Sequence, residues 1–80
     1  MKERILTILE DFGVERRAVT DNVHFVKDLG FDSLDTVDLM MKLEKEFGLR
    51  IPDEDYHKLS TLNKLMVYLE EEQSVMYAAA

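Results

Sequence analysis

Few residues in this chain have the type and setting to do chemistry, and Ser33 stands out among them by its position. Cysteine is absent, which removes thiol nucleophiles, disulfides and cysteine-bound zinc. The two histidines, His24 and His57, do not form an H-E-x-x-H pair, so no zinc site is expected. Both read as ordinary surface or loop residues. The acidic stretches fail the EF-hand pattern: counting from Asp28 the third position is Gly30, and counting from Asp53 the fifth is His57 with no glycine after it. There is no glycine-rich phosphate loop, and Ser33 has neither a G-x-S-x-G elbow nor a histidine placed to act as its base. What Ser33 has is the first turn of a helix. A phosphate attached there would face free backbone N–H groups and the positive end of the helix dipole, with Asp32 and Asp35 opposing it. Position alone leaves two readings open: an attachment point, or a second capping residue.

The elements that place Ser33 can be read from apolar spacing and a few punctuation marks. Ile5, Ile8, Leu9 and Phe12 recur at helical intervals, and Gly13 is placed to end that first helix. Residues 14–32 keep no sustained period. They hold the turn-forming Thr20-Asp21-Asn22, the apolar anchors Val23, Phe25, Val26 and Leu29, and then Gly30. This reads as a long loop with room for one short helical turn, and a connection of that length is more often functional than idle. Asp32 then serves as the N-cap of a helix running to about Phe47, with Gly48 as its stop. Pro52 followed by acidic residues starts a short helix over 53–58. Ser60 or Thr61 caps a last helix carrying Leu62, Leu65, Met66 and Leu69, and the pattern fades after Glu72. No strand is expected. The fold class is all-α: a four-helix bundle of three longer helices and one short one, spanning 1–72, with a tail at 73–80.

The helix that begins at Ser33 carries two apolar stripes. With Leu34 at zero and about 100° per residue, Leu39, Met40, Leu43 and Phe47 fall between roughly 140° and 240°. Leu34, Val37 and Met41 fall between roughly 300° and 360°. A small bundle buries one such face readily and two with difficulty. The second stripe is therefore either a wide core boundary or a row for docking a partner, framed by Asp38 and Glu44. Charge favours docking. Residues 28–55 hold nine acids against three bases, nearly all of the net −7 of the chain. Such a cluster, coinciding with the stripe, would steer basic partners toward it.

Composition bounds the rest. Eighty residues, 46% of them hydrophobic, suffice for one core. Ten Lys plus Arg against seventeen Asp plus Glu argue against nucleic acid, whose phosphates are bound by neutralising them, and against an anionic membrane surface. No apolar run approaches the ~18–20 residues of a membrane span, and the opening Met-Lys-Glu-Arg does not read as a signal peptide. The expectation is a cytoplasmic, monomeric, acidic domain.

Asp28-Leu29-Gly30-Phe31-Asp32-Ser33-Leu34 resembles the D-L-G-x-D-S-L signature of acyl carrier proteins, and the resemblance continues through Leu43, Glu44, Glu46, Phe47 and Ile51-Pro52-Asp53-Glu54. It covers about residues 5–70 and is closest to the stand-alone carriers of dissociated fatty acid synthesis. The resemblance implies a non-catalytic shuttle. Ser33 would receive 4'-phosphopantetheine from coenzyme A through a separate, magnesium-dependent phosphopantetheinyl transferase. The thiol of that arm would then hold acyl groups as thioesters, supplying the sulfur chemistry that a chain without cysteine lacks. It also implies that the partner-binding helix is the one over 33–47. Leu34, Val37 and Met41 would be its apolar contacts, and Asp32, Asp35, Asp38 and Glu44 its acidic ones, facing enzymes with basic docking patches. Cargo would fold back into the bundle against Phe25, Leu43, Tyr56, Leu59 and Met66. Three positions depart from the family's usual pattern. Lys45 stands where an acid is common, and Phe31 and Tyr56 where small residues are common, which bears on partner choice and cargo. The same carrier could instead serve a polyketide, amino-acyl or specialised lipid route, and a helical interaction domain that is never modified is the reading of a different class.

Overall fold

The computed structural model describes the backbone of residues 1–79 and the side chains of residues 1–72. Helix α1 spans Lys2–Glu10, α2 spans Ser33–Phe47 and α3 spans Leu62–Ala79; 3-10 helices lie at Arg16–Ala18 and Asp53–Lys58. Among the described residues there is no strand, only one isolated antiparallel bridge between His24 and Thr61. The all-α class and the long connection after α1 stand as the sequence implies. The short helix after Pro52 has the expected bounds but is wound as a 3-10 helix. Helix α1 ends at Glu10, two residues before Phe12, and its chain turns through Gly13 at a φ of 84°. The backbone of α3 stays helical past Glu72. The expected tail at 73–80 falls on residues whose side chains lie outside the described ones.

The core forms where the three α-helices turn their apolar faces inward. Ile5 and Leu9 of α1, Leu39, Met40 and Leu43 of α2, and Leu62, Leu65 and Leu69 of α3 are all removed from solvent, with Leu59 closing one end. Withdrawing side chains of this size from water contributes roughly 1.5–3 kcal/mol each, which is what offsets the ordering of so short a chain. Helix α2 stops at Gly48, whose φ of 65° lies in the left-handed region and whose N–H donates to the Glu44 carbonyl. A Cβ there would meet nothing within 4 Å, so the backbone conformation, and not crowding, calls for glycine.

The long connection is tied down through its second half. The Phe25 N–H donates to the Ser60 carbonyl at 3.0 Å, and the Leu62 N–H to the Val23 carbonyl at 3.1 Å. Phe31 stacks between Phe12 and Phe25, with ring centroids 5.2 and 5.9 Å apart. The expected anchors Val23 and Phe25 are buried and Leu29 packs partly against the core. Val26 is not an anchor: it is 52% exposed, because the turn that buries its neighbour Phe25 points the next side chain outward. At the start of α3 the cap is Thr61, whose Oγ1 accepts from the Lys64 N–H at 3.2 Å.

Candidate functional site

Ser33 opens α2 without taking part in its cap. Asp32 is the N-cap: its Oδ1 accepts from the Asp35 N–H at 2.8 Å, and Asp35 Oδ2 accepts in return from the Asp32 N–H at 3.2 Å. The Thr36 hydroxyl closes the turn by donating to the Asp32 carbonyl at 3.0 Å. This reciprocal capping box fixes the helix start with carboxylates alone. Ser33 is exposed, and among the described residues its hydroxyl has no hydrogen-bond partner. A primary hydroxyl held on a rigid helix start, free and open to solvent, is placed to be acted on by another protein.

Beside it runs an open apolar groove of about 490 Å³ that includes Ser33 itself in its lining. Phe25, Val26 and Phe31 of the long connection form one wall; Val37 of α2, with Tyr56 and Leu59 from the segment after Pro52, form the other. Of the five expected cargo contacts, Phe25, Tyr56 and Leu59 line this groove. Leu43 is wholly buried in the core and Met66 packs partly against it, and neither lines the groove. Val26, Phe31 and His57 belong to the lining and were not expected there. The exposure of Val26 in an otherwise pinned loop is not visible in its residue type.

The short 3-10 helix that supplies Tyr56 is held in place by a contact the spacing does not reveal. The Tyr68 hydroxyl of α3 donates to Asp55 Oδ2 at 2.9 Å. That bond, joined by Lys58 at 3.3 Å, holds the Asp55 carboxyl below its ordinary range. Burial, then the Asp55 bond, pushes the Tyr68 phenol well above its ordinary value.

The second apolar stripe of α2 is on the surface: Leu34 is 78% exposed, Met41 59% and Val37 42%. Val37 and Met41 form one side of a larger groove of about 610 Å³, faced by Ile51, Pro52 and Tyr56 and rimmed by Glu44, Asp53 and Glu54, with Arg50 the single base. Asp32 and Asp38 are exposed and Asp35 is half-buried. Glu44 has a second task, since its Oε2 accepts from the Ile51 N–H at 2.9 Å and so fixes the chain as it leaves α2. Lys45 is exposed on the same helix, and Phe31, the other departure from the usual pattern beside Tyr56, is a core residue.

Among the described residues no three His, Asp or Glu side chains gather closely enough to hold a metal ion, and no helix is long and apolar enough to cross a membrane. Comparison with known protein families gives a match to the phosphopantetheine attachment site family over residues 3–69, which takes in the starts of α2 and α3, both grooves and Ser33. With that match spanning most of the 80 residues, the chain belongs to the phosphopantetheine attachment site family, whose members are non-catalytic carriers bearing 4'-phosphopantetheine.

Proposed function

We propose that Ser33 is the residue that takes the phosphopantetheine and that the loaded protein carries growing acyl chains in fatty acid biosynthesis. One observation supports this above the others: the free hydroxyl of Ser33 lies in the lining of an apolar groove, so cargo tethered at that residue has a place to withdraw from water. The residues fit the group. Asp32 and Asp35 carry the capping of α2, which leaves the Ser33 oxygen available, and the N-terminal end of α2 offers backbone N–H groups to a phosphate. When bound, the group supplies a flexible arm ending in a thiol, a functional group that this chain, having no cysteine, cannot provide from its own residues.

The protein's own residues then do two things. Phe25, Phe31, Val37 and Leu59 shield an aliphatic chain beside Ser33, each buried methylene contributing roughly 0.8 kcal/mol. Leu34, Val37 and Met41, flanked by Asp35, Asp38 and Glu44, offer partner enzymes an apolar row in a negative field. Such a surface suits a phosphopantetheinyl transferase and chain-building enzymes with basic docking patches, which meet the carrier as a monomer in the cytoplasm. Acyl groups released from the protein purified from its own cells, and identified by mass, test the pathway. A saturated series growing by two carbons supports fatty acid synthesis, whereas amino-acyl or polyketide groups would assign the carrier to another route.

A further inference from the structure

The groove beside Ser33 and the larger groove along Val37 and Met41 are neighbours, and among the described residues only Val37 and Tyr56 line both. Val37 comes from α2 and Tyr56 from the 3-10 helix Asp53–Lys58, so the two side chains stand where those elements face each other. The grooves differ in kind. The one beside Ser33 is walled almost wholly by carbon, whereas the other is rimmed by Glu44, Arg50, Asp53 and Glu54. Tyr56 suits a boundary between them, having an apolar ring and a polar tip. Its phenol is pushed above its ordinary value by burial of the ring first, and then by the negative charges of Asp53 and Glu44, both residues of the charged groove.

We propose that Tyr56 is the residue that sets how long an acyl chain this carrier can shelter, because its ring, backed by Val37, closes the apolar groove that begins at Ser33. This rests on the reading that Ser33 bears the cargo. Methylenes on the Ser33 side of the ring leave water, while a chain long enough to pass it would meet a charged rim and gain little. Replacing the ring by a methyl group joins the two grooves along Val37, Met41 and Ile51, so longer chains gain protection and short ones do not. The cargo best sheltered by the native protein is therefore a short to medium saturated acyl group. Longer ones leave their distal end outside the groove, where a partner enzyme can reach it.

Thermal melts of the butanoyl, octanoyl and dodecanoyl forms test this in the native protein, Tyr56→Ala, Tyr56→Phe and Val37→Ala. In Tyr56→Ala the rise in Tm from octanoyl to dodecanoyl should exceed the native rise by roughly 3–6 °C, the effect of burying one further methylene in a domain of this size. Tyr56→Phe keeps the ring and should follow the native profile. Val37→Ala thins the same wall from an exposed position and should move the profile as Tyr56→Ala does, though less. Should Tyr56→Ala fail to fold, Val37→Ala decides the matter. An unchanged chain-length profile, or a Tyr56→Phe profile displaced like that of Tyr56→Ala, overturns the assignment of Tyr56 while leaving Ser33 as the carrier residue. Native acyl forms that all melt with the unacylated protein overturn the sheltering groove as well, and a native protein that takes no acyl group at Ser33 overturns the reading on which both rest.

Discussion

Asp32 and Asp35 cap each other at the start of α2, each carboxylate accepting the other's backbone N–H, at 2.8 and 3.2 Å, and the hydroxyl of Ser33 is left out of the exchange. Capping is thereby carried by Asp32 and Asp35, and the Ser33 hydroxyl is left free for the modification proposed there. Ser33→Ala should change the unfolding free energy by no more than about 0.5 kcal/mol, as for a surface substitution. Asp32→Ala should cost about 0.5–2 kcal/mol, the usual loss of an N-cap. Urea unfolding of the two variants measures both. A larger loss for Ser33→Ala than for Asp32→Ala would restore the hydroxyl to the cap.

The two acids that flank the exposed stripe should respond differently to substitution. Asp38 is exposed, so Asp38→Lys should slow association with a basic partner enzyme several-fold, with little effect on Tm. Glu44 also accepts from the Ile51 N–H, so Glu44→Lys should lower both association and Tm, whereas Glu44→Gln keeps an acceptor and should lose mainly association. Leu34→Ala and Met41→Ala should act on dissociation instead. Stopped-flow binding at two salt concentrations separates these cases, since only the charge effects are screened.

Loss of the bond between Tyr68 and Asp55 should show in the pH dependence of stability. Asp55 has a depressed pKa in the folded protein, chiefly through the Tyr68 hydroxyl. Its contribution is therefore complete above its unfolded-state pKa and is lost as pH falls through the lower, folded value. Tyr68 is shifted upward, so its contribution is complete below its unfolded-state pKa and fades as pH rises through the higher, folded one. Tyr68→Phe should flatten the acid limb of a stability–pH curve and return the Asp55 carboxyl toward the ordinary range in an NMR titration. An Asp55 titration unmoved by the substitution would leave Lys58 as the cause.

His24 organises the connection that delivers Ser33. Its Nδ1 accepts from the backbone N–H groups of Val26 and Lys27, at 3.2 and 3.0 Å, while its own backbone N–H donates to Asp28 Oδ2 at 2.8 Å. His24→Ala should cost about 0.5–1.5 kcal/mol for the lost acceptor, and His24→Asn, whose carbonyl can take the same two N–H groups, should recover most of it. Chemical unfolding of the pair beside the native protein checks this, and a His24→Ala protein as stable as the native one would mean that water replaces the imidazole without loss.

What could be read in the sequence follows from how local each signal is. The second stripe of α2 was legible because helical periodicity separates Leu34, Val37 and Met41 from Leu39, Met40, Leu43 and Phe47, and the structure exposes the first set and buries the second. Asp32 and Gly48 marked the ends of α2 for reasons confined to one turn each. His24 read as an ordinary loop residue because its partners are backbone N–H groups, which no residue type reveals. The Asp55–Tyr68 bond crosses from one element to another, and Val26 faces the groove through the direction of a turn; neither leaves a periodic trace. Leu43 has the right residue type for a cargo contact, but it lies on the core side of α2.

Attachment of phosphopantetheine at the hydroxyl of Ser33 is tested most directly by intact mass. The protein is incubated with coenzyme A, magnesium and a phosphopantetheinyl transferase, in parallel with Ser33→Ala and with Ser60→Ala. One phosphopantetheine unit should be added to the native chain and to Ser60→Ala, and none to Ser33→Ala. A native chain that gains no mass, or a Ser33→Ala chain that still gains the unit, would contradict the account.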